Sequence, residues 1–266
     1  MSREFQEVAP SHVQPARLRG IAFGSRARQK LDVYLPKDRK PRAVIVFLYG
    51  GGWTTGSRRF YRLLGSALNG RGFAVVVPDY RLFPSARFPD FVEDGAAAVK
   101  WVRDNAELFA RAPVFLMGHS AGAHIGALLT LVPDYLRSHG IEPSFVRGFI
   151  GISGPYTLDP TKWPVVREVF STAVPGEIAR PIKLVRERVA PMLLLHGKTD
   201  RVVALHNSER FTDALKAVGS DVALKTYPRI GHIEIIVAFA WGWRWRASVL
   251  DDVDAFISAQ LAPNRQ

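Results

Sequence analysis

Four short stretches of this chain carry residue types that together could perform acyl transfer. Gly118-His119-Ser120-Ala121-Gly122 has the form G-x-S-x-G. It follows an apolar run and opens a helical pattern. In that strand–turn–helix context the serine is held on a sharp turn with its Oγ exposed. The flanking glycines leave room where side chains would collide, and the N–H groups at the start of the helix favour negative charge. The competing reading is an ordinary helix start with Ser120 as its N-cap. Tyr49-Gly50-Gly51-Gly52-Trp53 follows another apolar run. Here the N–H groups of Gly51 and Gly52, with that of Ala121, could aim at a carbonyl oxygen as it becomes an oxyanion. A phosphate loop would instead need Gly-Lys-Ser/Thr, and Gly52 is followed by Trp53.

A hydroxyl is a weak nucleophile and needs a base. Of the seven histidines, His232 lies in Arg229-Ile230-Gly231-His232, after the last apolar run and before the last helical pattern. His119 is inside the turn and should point away from the Oγ. His124 is one helical turn further on, and His196 ends a run. His12, His139 and His206 fall in loops or at helix starts. The acid should follow another strand, and Asp200 in His196-Gly197-Lys198-Thr199-Asp200 does so. It would accept from the imidazole Nδ1–H, fix the tautomer and stabilise the imidazolium. Asp159 and Asp221 are rivals without that context. Glu234 is expected to be structural or on the surface. Tyr49, Trp53, His119, Trp163, Phe170, Val202 and Ile233 are candidates for the substrate pocket. Trp241, Trp243 and Trp245, with Phe239, could line an acyl pocket, form a homodimer face, touch a membrane or pack the last helix. Their spacing of two does not give one helical face.

Such residues need a frame to bring them together. Continuous apolar runs at 43–48, 73–77, 113–117, 146–152, 192–195 and 222–227 suit strands buried on both faces. Residues 18–23 and 31–35 suit an antiparallel pair at the edge. Helical spacing appears over 60–71, 91–105, 121–132, 207–218 and 247–260. Strand–helix alternation predicts a mostly parallel sheet covered on both faces, with the site beyond the carboxyl ends of its strands. Residues 155–190, with five prolines, break the rhythm and predict an insertion of short helices, either a lid or a packed excursion.

Composition sets the outer bounds. The chain has 266 residues, 47% apolar and 23% charged, an ordinary globular balance for a single α/β domain over 1–266. It has no cysteine, so disulfides and thiolate metal sites are excluded, and no metal or organic cofactor is expected. The net charge of +12 is dispersed, without a nucleic-acid-binding motif, and no nucleic-acid partner is expected. The opening residues lack the order of a signal peptide. The longest apolar stretch, 233–243, contains Glu234 and is too short to span a bilayer. A cytoplasmic protein without a membrane span is therefore expected.

Taken together, these motifs resemble the α/β-hydrolase superfamily. The likeness is to its small HGGG-containing carboxylesterases related to hormone-sensitive lipase, and within them to the bacterial esterase, arylformamidase and prenylcysteine methylesterase group. The resemblance rests on the segment from Gly118 to His124, on Pro78-Asp79-Tyr80-Arg81-Leu82, on Phe88-Pro89 and Asp94, and on the segments holding Asp200 and His232. It covers roughly residues 18–260. Tyr49 stands where that group has the histidine that anchors the glycine loop. The resemblance implies an eight-stranded α/β-hydrolase sheet and hydrolysis of small esters or amides. Arylformamidase activity and a non-catalytic binding role are the alternatives.

Overall fold

The computed structural model describes residues 17–262 apart from 38 and 161; the N-terminal stretch read above, His12 included, and the Trp241 side chain lie outside the described residues. Eight strands form one sheet: β1 (Arg17–Ala22), β2 (Lys30–Tyr34), β3 (Val44–Leu48), β4 (Ala74–Pro78), β5 (Val114–His119), β6 (Val146–Ile152), β7 (Met192–Gly197) and β8 (Val222–Tyr227). Their order is β1-β2-β4-β3-β5-β6-β7-β8. β1 pairs with β2 and β2 with β4 antiparallel, and every later pairing is parallel. β3, β4, β5 and β7 are buried at every residue, as parallel strands covered on both faces must be. β8 lies at the edge and alternates half-buried with exposed positions.

The crossovers are α1 (Arg62–Gly70), α2 (Asp90–Asp104), α3 (Ala121–Leu131), α4 (Pro133–Arg137), α5 (Pro164–Arg167), α6 (His206–Ala217), α7 (Glu234–Val237) and α8 (Val249–Leu261). Neighbouring residues of β6 show that both faces are covered. The Phe149 ring lies against Gly126 of α3, while a side chain at Gly148 would meet Phe256 of α8. Successive strand residues point to opposite faces, so α3 and α8 pack on opposite sides. All eleven residues of α3 are buried, which makes it a core helix.

Three expectations need adjustment. The helix expected over 60–71 is a 3-10 turn (Arg58–Tyr61), capped by the Ser57 hydroxyl, that leads into α1. The last helix begins at Val249 rather than 247, because the 3-10 turn Trp241–Arg246 precedes it. β5 runs further than expected, so His119 belongs to the strand, while His196 stands near the end of β7 as expected. Residues 155–190 do hold short helices, α5 and the 3-10 turns Gly176–Ala179 and Pro181–Leu184. They pack inward through Val166, Val169, Phe170 and Ala179, which are buried. No helix among the described residues is long and apolar enough to cross a membrane.

Candidate active site

Ser120 sits at the turn between β5 and α3 with φ 53° and ψ −118°, a backbone conformation that L residues rarely adopt. The turn is over-determined by its surroundings. Ser120 N–H donates to Ile152 O at 2.8 Å. A Cβ at Gly118 would lie 2.3 Å from Gly122 O, and one at Gly122 would lie 2.0 Å from Leu48 O. Backbone therefore passes backbone where any side chain would block it, and this is the physical content of the two glycines in the motif. The Ser120 side chain makes no capping hydrogen bond to its helix, so the ordinary N-cap reading fails. Its Oγ instead lies 2.9 Å from His232 Nε2.

His232 follows β8 and Asp200 follows β7, so both reach the carboxyl edge where Ser120 stands. His232 Nδ1 is 2.8 Å from Asp200 Oδ2. The other carboxylate oxygen accepts from the N–H groups of Val202 and Val203, each at 2.9 Å. Burial alone would raise the Asp200 pKa. The His232 ring, the Val203 N–H and the nearby Ser153 hydroxyl outweigh it and hold the carboxyl below its usual range. The structure thus brings Ser120, His232 and Asp200 into one hydrogen-bonded line. The rivals lie elsewhere: Asp159 pairs with Lys162 and Arg180, and Asp221 is exposed just before β8, at the opposite end of the strand from His232. Glu234 is structural, its carboxylate accepting from Gly231 N–H beside His232.

Two buried histidines support this line. Burial, then the neighbouring His232, push His119 down to about 3. It is therefore neutral, and its Nε2–H donates to His232 O at 2.9 Å, fixing the backbone that carries the other ring. Burial likewise lowers the pKa of His196. Its Nε2–H donates to Val203 O at 2.8 Å, and its Nδ1 accepts from the Ser208 hydroxyl at 2.7 Å. This clamps the loop that presents Asp200. Ser153 and Ser208 were not singled out from the sequence. Ser153 could have been: it directly follows the apolar run 146–152, at the strand edge where the acid and base are sought.

The glycine loop lies directly against the serine. A Cβ at Gly50 would be 3.0 Å from Ser120 Cβ. Gly51 and Gly52 have φ of 135° and 59°, and Gly51 O accepts from Thr54 and Thr55 N–H to close the turn. Among the described residues no backbone acceptor takes the Gly51 or Gly52 N–H. Ala121 opens α3, where the first N–H groups have no intrahelical partner. Three unpaired donors thus come from the two segments that flank Ser120.

The substrate-pocket candidates divide. Val202 and Ile233 are 61% and 63% exposed, one two residues after Asp200 and the other next to His232 in sequence. Trp163 is partly exposed on the 155–190 excursion. Trp53 and Phe170 are buried and meet edge-on at 4.8 Å, with His124 edge-on to both. Tyr49 and His119 are corrections. His119 is buried behind His232, and Tyr49 is wholly buried with its ring stacked 4.6 Å from Tyr80. The Tyr49 hydroxyl donates to Asp79 Oδ1 at 2.9 Å and accepts from Arg28 at 2.8 Å. It points away from Ser120 because an ionic frame, not an open pocket, satisfies it. In the Trp cluster, Phe239 is core, while Trp243 and Trp245 are 46% and 81% exposed with the Arg246 guanidinium over both rings. Packing of the last helix therefore does not account for those two.

The parallel sheet with its crossovers and the strained turn after β5 define an α/β-hydrolase. The prolyl oligopeptidase family model matches residues 89–262 and the BD-FAE model residues 31–144; the chain belongs to the prolyl oligopeptidase family. It is 30% identical over 272 residues to a probable isoprenylcysteine alpha-carbonyl methylesterase of Oryza sativa subsp. japonica, covering 94% of this chain and 66% of that protein. It is 31% identical over 239 residues to Esterase LipC of Mycobacterium tuberculosis, covering 80% of this chain and 59% of that one. The chain thus spans less than two thirds of the length of these relatives. Among solved structures, Thermogutta terrifontis esterase 2 phosphoramylated by tabun matches with a TM-score of 0.77 and 25% identity over 94% of this chain and 97% of that one. A truncated carbohydrate esterase from gut microbiota shares the fold at a TM-score of 0.77 and 20% identity, over 93% of this chain and 96% of that one.

Proposed function

We propose that this chain is a serine hydrolase that cleaves small carboxylic esters through an acyl-enzyme. One observation carries the reading: the unbroken line from Ser120 Oγ through the His232 ring to an Asp200 carboxylate already tied to two backbone N–H groups. Ser120 attacks the ester carbonyl while His232 Nε2 takes its proton. The N–H groups of Gly51, Gly52 and Ala121 receive the oxyanion. Loss of one such donor typically costs about 3–4 kcal/mol. His232 then protonates the leaving alcohol, and water, activated by the same ring, releases the acid. Asp200 keeps the ring in the right tautomer and offsets its charge. The exposed Val202 and Ile233, close to Asp200 and His232 in sequence, suit an apolar part of the substrate. The methylesterase and esterase names of the relatives support ester cleavage. We read residues 155–190 as a fixed wall rather than a moving lid, within one domain, because Phe170 is locked among Trp53, Phe88 and Phe91.

The test is a panel of p-nitrophenyl esters and N-formylkynurenine on the wild type and Ser120→Ala, with fluorophosphonate labelling of both. We expect ester turnover and labelling in the wild type and a loss of at least about a thousandfold in the variant. Strong preference for the formamide would reassign the substrate class. An unlabelled, inactive wild type would leave a binding protein.

A further inference from the structure

A cavity of about 520 Å³ on the β1 edge of the sheet has no part in the site described above. Its wall is formed by Arg17, Arg19, Arg58, Arg59 and Arg62 around a single carboxylate, Asp32. That carboxylate is fully engaged: Oδ1 accepts from Arg58 Nε and Gly20 N–H, and Oδ2 from Arg17, all at 2.9 Å. Arg58 is further held by the buried Asp79. Two guanidinium groups are thereby fixed in place. Arg19, Arg59 and Arg62 form no ion pair with any described residue. Such crowding of like charge in one concavity costs free energy unless an anion shares the space. Guanidinium forks match phosphate oxygens in geometry as well as charge.

The rim narrows the choice of anion. Phe60 and Leu63 are 78% and 67% exposed, and they follow Arg59 and Arg62 directly in sequence. Residues three apart share a helical face, so Arg59 with Arg62 and Phe60 with Leu63 form adjoining basic and apolar faces. A free phosphate compound uses only the first. A bilayer surface uses both, since stable attachment needs apolar insertion beside electrostatic attraction. Asp32 pairs with Val77 near the carboxyl end of β4. It therefore lies toward the same sheet edge as Ser120, three strand spacings or about 14 Å across the sheet.

We propose that this pocket takes the phosphate of an anionic lipid headgroup and seats this face on a bilayer surface, with Phe60 and Leu63 entering the acyl boundary. The test is co-sedimentation of the full chain with vesicles of phosphatidylcholine alone or mixed with phosphatidylglycerol, alongside calorimetric titration with inorganic phosphate. The wild type should bind the mixed vesicles and leave the neutral ones, with binding falling as salt rises. Each basic side chain near an anionic surface contributes about fivefold, so Arg59→Gln/Arg62→Gln should lose about thirtyfold. Arg147→Gln/Arg210→Gln removes the same charge from exposed positions on β6 and α6 and should stay within about threefold of wild type, as sites outside the contact do. Phe60→Ser/Leu63→Ser should lose vesicle binding while its phosphate titration stays that of the wild type. The four arginine substitutions exchange one polar side chain for another, Phe60 and Leu63 are exposed, and unchanged Tm values will show that each variant is folded. Equal losses in the two arginine pairs would show diffuse attraction and overturn the proposal. So would equal binding to neutral vesicles, or binding of phosphate without binding of vesicles.

Discussion

Replacing Tyr49 by Phe separates loop anchoring from chemistry. The Tyr49 hydroxyl makes two hydrogen bonds to charged groups, to Asp79 and from Arg28. Burial, and then Asp79, push its pKa up, so the phenol stays protonated and remains a donor. Each such bond is worth about 1.5–3 kcal/mol. Neither partner is stranded, however. Asp79 keeps the Arg58 N–H at 2.7 Å and the Arg58 ion pair, and Arg28 keeps the carbonyls of Tyr80 and Gly56 at 2.8 and 3.0 Å. The ring, around which the loop folds so closely that a Cβ at Gly56 would lie 2.6 Å from it, is preserved. The net loss is then about 2–3 kcal/mol, a fall in Tm of about 5–10 °C for a chain of this size. Activity should barely change, because Tyr49 O still accepts from the Tyr80 hydroxyl at 2.8 Å and the glycine N–H groups keep their direction. In urea melts and p-nitrophenyl acetate assays, stability should fall while kcat/KM stays within about fivefold, under about 1 kcal/mol. A hundredfold drop in kcat with unchanged Tm would refute this, since it would put the hydroxyl into the reaction and leave the frame idle.

Two further outcomes follow from buried groups. Burial lowers His124 from 6.5 to about 4, so the unfolded chain takes up a proton below pH 6.5 that the folded chain refuses until about pH 4. This group's contribution is whole above pH 6.5 and falls by about 1.4 kcal/mol per pH unit below it. His124→Gln should flatten the stability profile between pH 4 and 6.5 by that amount in urea melts, and an unchanged slope would mean His124 is not held neutral. Phe170→Ala should cost about 3–5 kcal/mol, since its ring is buried against Trp53, Phe88 and Phe91; a cost under about 1 kcal/mol would show that residues 155–190 are loosely laid and free to move as a lid.

What could be read from the chain follows from how locally it is encoded. The eight strands stand out because runs such as Ala43 to Leu48 combine β-branched and aromatic residues without helical spacing. The turn at Ser120 is legible because its glycines, its preceding strand and its following helix are contiguous. His232 and Asp200 are legible by position, each being the chemically suited residue just beyond a parallel strand. The place of Tyr49 is not legible because a wholly buried run gives no sign of which way its last side chain turns. Its partners Arg28 and Asp79 lie 21 and 30 positions away, and no periodicity links such distances. The 3-10 turn before α1 escaped for a different reason: repeats of three and of four are hard to tell apart over one turn.

The frame behind the glycine loop explains why a tyrosine can stand at its base. Donors that stabilise an oxyanion act best when they are fixed before charge develops, so that nothing reorganises during the reaction. Here the fixing runs through charge: Asp79 receives Tyr49 and Arg58, and Arg28 joins Tyr49 to the carbonyl of Gly56 across the loop and to that of Tyr80 just after β4. Arg58 then continues to Asp32 in the basic cavity. A buried ion pair that loses one partner leaves the other uncompensated, at a cost of several kcal/mol. The loop therefore has one low-energy arrangement, and the same arginine that enforces it also shapes the cavity wall. An anion entering that cavity would meet Arg58 already committed to Asp32 and Asp79. It would draw on Arg19, Arg59 and Arg62, which form no ion pair with a described residue, leaving the loop's donors where they were.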